Sequence, residues 1–166
     1  QMCIRDSSSI DYAALKQLVG QSVQVKEDIV EQDPFEHGIR KALNLGHTVG
    51  HAFESMALAE NRPVLHGYAV AWGIVCELYL SHLKVGFPKE KMRQTIQFIK
   101  DNYGVFTFDC KKYEQLYAFM THDKKNTSGT INFTLLKDIG DIRINQIADK
   151  DTIFEMLDFY RECMGS

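Results

Sequence analysis

Between Gly67 and Leu83 the sequence is apolar on nearly every side of a helical wheel. A helix without a polar face has to be surrounded, either by protein or by lipid. Its densest part, Ala69 to Leu80, is too short to cross a bilayer and carries Glu77. The stretch therefore predicts a central, buried helix, and the remaining elements must be arranged around it. With 166 residues there is enough chain for one domain with such a core. Apolar residues at 45% and charged residues at 25% are the balance of an ordinary globular protein. A net charge of −3 gives no basic excess for a nucleic-acid partner. The four cysteines (Cys3, Cys76, Cys110, Cys163) form no CxxC pair, so a thiolate zinc site is not expected. Cys76, inside the apolar run, reads as a buried free thiol, which fits a reducing cytosol.

The other elements follow from period and punctuation. Residues 1–9 share no pattern with what comes next and contain no apolar signal core, so they read as a foreign or frayed leader. Residues 10–166 read as one mostly helical domain. A first helix from Tyr12 to Val30, capped by Ser8 or Ser9, is stopped by Asp33-Pro34. A second is expected from about Leu43 to Leu58, and a fourth from Pro88 to Gly104. Tyr113 to Asp123 reads as a fifth. Ile131–Leu136 and Ile142–Ile147 read as a hairpin around Asp138-Ile139-Gly140-Asp141. Asp151 is expected to cap a last helix running to Cys163.

The second helix carries the chemistry. At about 100° per residue, Asn44, His47, His51 and Glu54 share one sector, and Val49, Ala52, Phe53 and Met56 face the other way. Two imidazoles four residues apart can converge on a metal or an anion, although a solvated polar face would show the same spacing. A zinc-protease motif is excluded, because Thr48 stands where HExxH needs Glu. Gly46 and Gly50 each cost the helix about 1 kcal/mol. Close approach of a ligand or another backbone would explain them. His66, at the start of the apolar helix, meets a positive helix end that keeps an imidazole neutral and able to bind metal. Its plain alternative is an ordinary helix-capping residue.

Basic residues also occupy unusual positions. Lys26 lies between Leu15 and Val19, in the apolar stripe of the first helix, where a lysine must snorkel, pair or reach a site. Arg40 stands four residues before Asn44 and could grip a carboxylate with two parallel hydrogen bonds. Lys124-Lys125 ends the fifth helix, where cations are favourable for stability alone. Each is weak evidence singly. With the histidines they suggest a site for an acidic, phosphorylated small molecule.

The string from Arg40 through Leu43-Asn44-Leu45-Gly46-His47-Thr48-Val49-Gly50-His51 to Glu54, followed by Leu65-His66-Gly67, resembles the signature of the 3-dehydroquinate synthase family. The likeness reaches upstream to Lys26 and Asp33-Pro34-Phe35-Glu36 and downstream to Asp123-Lys124-Lys125-Asn126. It implies a mainly α fold, the helical C-terminal domain of the dehydroquinate synthase-like fold with a small β-hairpin. It implies a lyase of the shikimate route to aromatic amino acids. Such an enzyme turns 3-deoxy-arabino-heptulosonate 7-phosphate into 3-dehydroquinate with NAD and a divalent metal, zinc or cobalt. By the same likeness His47 and His66 are metal ligands, and His51 and Glu36 move protons. Lys26, Arg40, Asn44 and one of Lys124 and Lys125, with Lys125 slightly favoured, bind substrate. A cytoplasmic homodimer is implied, with no nucleic-acid or membrane partner.

The family's third metal ligand, a glutamate, and a further lysine come from a segment before the first helix that Gln1 to Ser7 does not match. Its glycine-rich NAD-binding domain is not found in these residues. Tyr68 stands where many members have glutamate. The expectation is therefore a C-terminal fragment without activity of its own. The rival readings are a related sugar-phosphate cyclase making an inosose or valiolone ring, and a non-catalytic helical module that binds a metal. Arg40 with Lys26 favours a substrate bearing a carboxylate. Metal-dependent alcohol and glycerol dehydrogenases would lack the Arg40-to-Asn44 and Lys124-Lys125 pattern.

Overall fold

The computed structural model of the chain describes residues 12–122 and 130–165. The leader, its serine caps, and Lys124 and Lys125 lie outside the described residues. In chain order the elements are α1 (Tyr12–Gln32), a 3-10 segment (Ile39–Asn44), α2 (His47–Ala59), α3 (His66–Val85) and α4 (Lys89–Tyr103). A short 3-10 turn (Cys110–Lys112), α5 (Tyr113–Thr121), β1 (Asn132–Asp138), β2 (Asp141–Ile147) and α6 (Lys150–Met164) complete them. Among the described residues the fold is mainly α with an antiparallel hairpin, in line with the sequence pattern. Among the described residues no helix is long and apolar enough to cross a membrane. Two compact units divide between Leu43 and Asn44.

In the second unit α3 is the central element that its composition demands. Ala69, Val75, Cys76 and Leu80 on it have no exposed surface. Around α3 pack α2, α4, α6 and β1. Phe53, Phe106, Phe108 and Tyr160 form an aromatic cluster with ring centroids 5.1–6.2 Å apart. Its one hydroxyl, Tyr160 Oη, accepts the Phe106 amide at 3.0 Å, so this buried polar group is met. Ser81 ties α3 to the hairpin. Its hydroxyl donates to Glu77 O at 2.7 Å and accepts the Leu136 amide at 3.0 Å. The hairpin pairs Asn132 with Ile147 and Asp138 with Asp141, and Gly140 turns it at φ 83°. Cys76 is a free thiol, fully buried. Burial, with the neighbouring Glu77 charge, holds its pKa well above the usual thiol range.

Two boundaries differ from the periodicity reading. The second helix starts at His47 rather than near Leu43, because Gly46 takes a left-handed conformation (φ 79°) and the residues before it form the 3-10 segment. Asn44 therefore does not lie on the face of α2. The last helix is capped by Asp149, which accepts the Thr152 amide at 2.8 Å, and not by Asp151. Both aspartates suit the start of a helix, and a wheel cannot tell a cap from a first-turn acid.

The first unit is α1 and the chain that follows it, up to Leu43. No residue of α1 is buried. Leu15, Val19 and Val23, the stripe seen in the sequence, are 42%, 54% and 59% exposed. Lys26 is exposed with them.

Candidate metal centre

The histidines are placed by a helix pair in near backbone contact. A Cβ on Gly73 of α3 would stand 2.1 Å from Gly46 O and 2.7 Å from Gly50 N. A Cβ on Gly46 would stand 2.7 Å from Val70 O. Real side chains do not approach this closely, so α2 and α3 can meet as they do only through glycine. The two glycines in the α2 motif thus answer to another backbone. On the far side, Thr48 Oγ1 donates to Asn132 O at 3.0 Å and anchors α2 to β1. Val49, Ala52, Phe53 and Met56 are buried, as the wheel predicts.

With α2 fixed, its polar face meets the start of α3. The His47 and His51 ring centroids are 5.5 Å apart, His47 and His66 5.4 Å, and His51 and His66 5.8 Å. Three imidazoles thus share one locality, which sequence spacing could suggest but not establish. Leu65, in extended conformation, precedes His66, which is the first residue of α3 and not its cap. His47 Nδ1 lies 3.1 Å from Leu45 O, and His66 Nδ1 lies 3.0 Å from Glu54 Oε2. A neutral ring that donates from Nδ1 presents Nε2 as its free lone pair, the arrangement of a metal-binding histidine oriented from behind. Glu54 is legible in the sequence as part of the polar face, but its pairing with His66 joins two elements and leaves no mark in the spacing. Among the described residues, ligand atoms of His51, Glu54 and His66 all lie within 4.8 Å of one another. Imidazole and carboxylate donors suit a borderline divalent ion such as zinc or cobalt.

Residues 33–40, which follow α1 in the first unit, form a loop with its own construction. Asp33 folds it. The Asp33 carboxylate accepts the amides of His37 at 2.9 Å, Gly38 at 2.7 Å and Arg40 at 3.1 Å. Partial desolvation pushes the Asp33 pKa up, but the three amides outweigh it and hold the carboxyl below its usual range. Glu36 sits at φ 58°, a conformation that non-glycine residues adopt rarely and that tends to mark functional positions. Arg40 Nη1 donates to Pro34 O at 2.7 Å. Asn44, half-buried, closes the 3-10 segment.

The structure thus brings His47, His51 and His66 together. Lys26, Glu36 and Arg40 belong to the first unit, and Lys124 and Lys125 lie outside the described residues. Tyr68 meets Trp72 and Tyr103 edge-on, at 6.0 and 5.4 Å between centroids.

The family model for the 3-dehydroquinate synthase C-terminal region matches residues 2–126. The chain is similar to the 3-dehydroquinate synthase of Parabacteroides distasonis, with 61% identity over 160 residues, 96% of this chain and 45% of the relative. It is also similar to that of Leptospira interrogans, with 42% identity over 142 residues, 82% of this chain and 38% of the relative. The chain therefore spans less than half the length of these relatives. Among solved structures it resembles a 2-deoxy-scyllo-inosose synthase complexed with carbaglucose-6-phosphate, NAD+ and Co2+. The TM-score is 0.71 at 20% identity, covering 90% of this chain and 41% of that one, a likeness of fold.

Proposed function

The chain belongs to the 3-dehydroquinate synthase family, and from that premise we propose that it supplies the metal- and substrate-binding part of a phosphate-eliminating cyclase. The substrate would be 3-deoxy-arabino-heptulosonate 7-phosphate and the product 3-dehydroquinate. The observation that carries this reading is the convergence of three imidazoles, two with Nδ1 already engaged. His47 and His66 would hold a divalent metal through Nε2. That ion, when bound, would act as a Lewis acid on the substrate's hydroxyl and ketone oxygens. NAD, held mainly by residues outside this chain, would supply a transient oxidation. The inosose synthase that shares the fold holds NAD+ and Co2+.

The chain's own side chains would bind and move protons. His51 would stand near the phosphate and exchange a proton there, and Glu36 would accept one. Lys26, Arg40, Asn44 and Lys125 would hold the carboxylate and phosphate, where fixed cations stabilise charge developing on the leaving group. The closeness of His51, Glu54 and His66 supports a second ligand set that lies wholly within this chain. It would let these residues bind a metal without performing the reaction.

Phosphate release tests the proposal. The complete protein, with NAD and metal, should turn over the heptulosonate phosphate, and the 166-residue polypeptide alone should not. Turnover by the isolated polypeptide would overturn the division of labour. A preference of the complete protein for a sugar phosphate lacking the carboxylate would favour an inosose-type or valiolone-type cyclase.

A further inference from the structure

We propose that Glu77 is a positioning residue for the candidate metal centre, capping the N-terminus of α2 from the neighbouring helix and so fixing His47. The proposal rests on the reading of His47 given above. Glu77 has no exposed surface, although it lies in the most apolar helix of the chain. A buried carboxylate is costly unless hydrogen bonds hold it. Its Oε2 accepts the Gly46 amide at 2.5 Å, and its Oε1 accepts the Val49 amide at 3.3 Å.

These two amides bracket His47. A helix ordinarily caps its first-turn amides with the side chain of the residue just before it, a serine, threonine or aspartate. In α2 that residue is Gly46, which provides no side-chain cap. It cannot be replaced by a capping residue, because Val70 O and Ile74 of α3 fill the space where a Cβ would go. Gly73 and Glu77 are one helical turn apart, so they share a face of α3. The face that excludes a cap at position 46 therefore delivers one from position 77. A carboxylate is also the favourable charge at a helix N-terminus. The sequence shows Glu77 only as an interruption of an apolar run. The signal that could have found it is its spacing from Gly73.

The test compares Glu77→Ala, which removes both acceptors, with Glu77→Gln, which keeps one, in the complete protein. Amide hydrogen exchange over residues 46–50 reads the cap without any metal. We expect exchange there to quicken about 10-fold in Glu77→Ala, less in Glu77→Gln, and to stay unchanged in α4. Visible absorption of added Co2+ reads the histidine geometry. We expect Glu77→Ala to bind Co2+ about 10-fold more weakly with an altered spectrum, and Glu77→Gln to restore part of both. Unchanged exchange in Glu77→Ala would overturn the cap. Faster exchange with wild-type Co2+ affinity and spectrum would overturn the positioning role. If Glu77→Ala does not fold, the same readouts on Glu77→Gln decide. If the wild type takes up no Co2+, the metal reading fails, and exchange alone still decides the cap.

Discussion

α1 and α2 both look amphipathic in the sequence, and they end differently. The apolar side of α2 is buried, with Val49 and Phe53 at 0% exposure. The apolar stripe of α1 stays open, and no residue of that helix is buried. The contrast separates what this chain determines from what it does not. The histidines are held by contacts made within the second unit, through glycine, Glu77 and Thr48. The position of Lys26 is not secured by burial of the helix that carries it.

Substitutions sharpen this contrast. The largest effect is expected at Gly73, where even one methyl group collides with Gly46 O. Gly73→Ala should cost more than about 3 kcal/mol in denaturant unfolding. A cost under about 1 kcal/mol would show that α2 and α3 can separate freely. A smaller effect is expected on the loop that carries Glu36 and Arg40. Asp33→Ala should speed exchange of the His37, Gly38 and Arg40 amides and raise KM. The Asp33 pKa is lowered in the folded state, so its contribution is present above the unfolded value of about 3.9. It is lost as pH falls through the lower folded value, and the protection of these amides, measured against their intrinsic exchange rates at each pH, should fall with it in acid. The smallest effect is expected on α1. Leu15→Ser and Val19→Ser should change stability by no more than about 0.5 kcal/mol in the isolated polypeptide. A loss above about 1.5 kcal/mol would mean that the stripe is covered.

Much of this is legible in the sequence because it depends on period. The apolar run at 67–83 is the central helix, and the spacing of His47, His51 and Glu54 places them on one side of α2. What period does not show is where backbones touch. Gly46 reads as one more helical residue, yet its left-handed turn ends the 3-10 segment and takes Asn44 off the helix face. The pairing of Glu54 with His66 and the reach of Glu77 to α2 are contacts between elements, which helical wheels do not contain. The role of Glu36 rests on the family resemblance alone, and those of Lys26 and Arg40 rest on it together with their unusual places in the sequence pattern.

The most direct test of the central claim is the metal retained after dialysis by the complete protein and its His47→Ala, His51→Ala and His66→Ala variants. His47→Ala and His66→Ala should lose most of their metal, while His51→Ala keeps it. Equal loss in all three, or loss in His51→Ala with retention in His47→Ala, would contradict it.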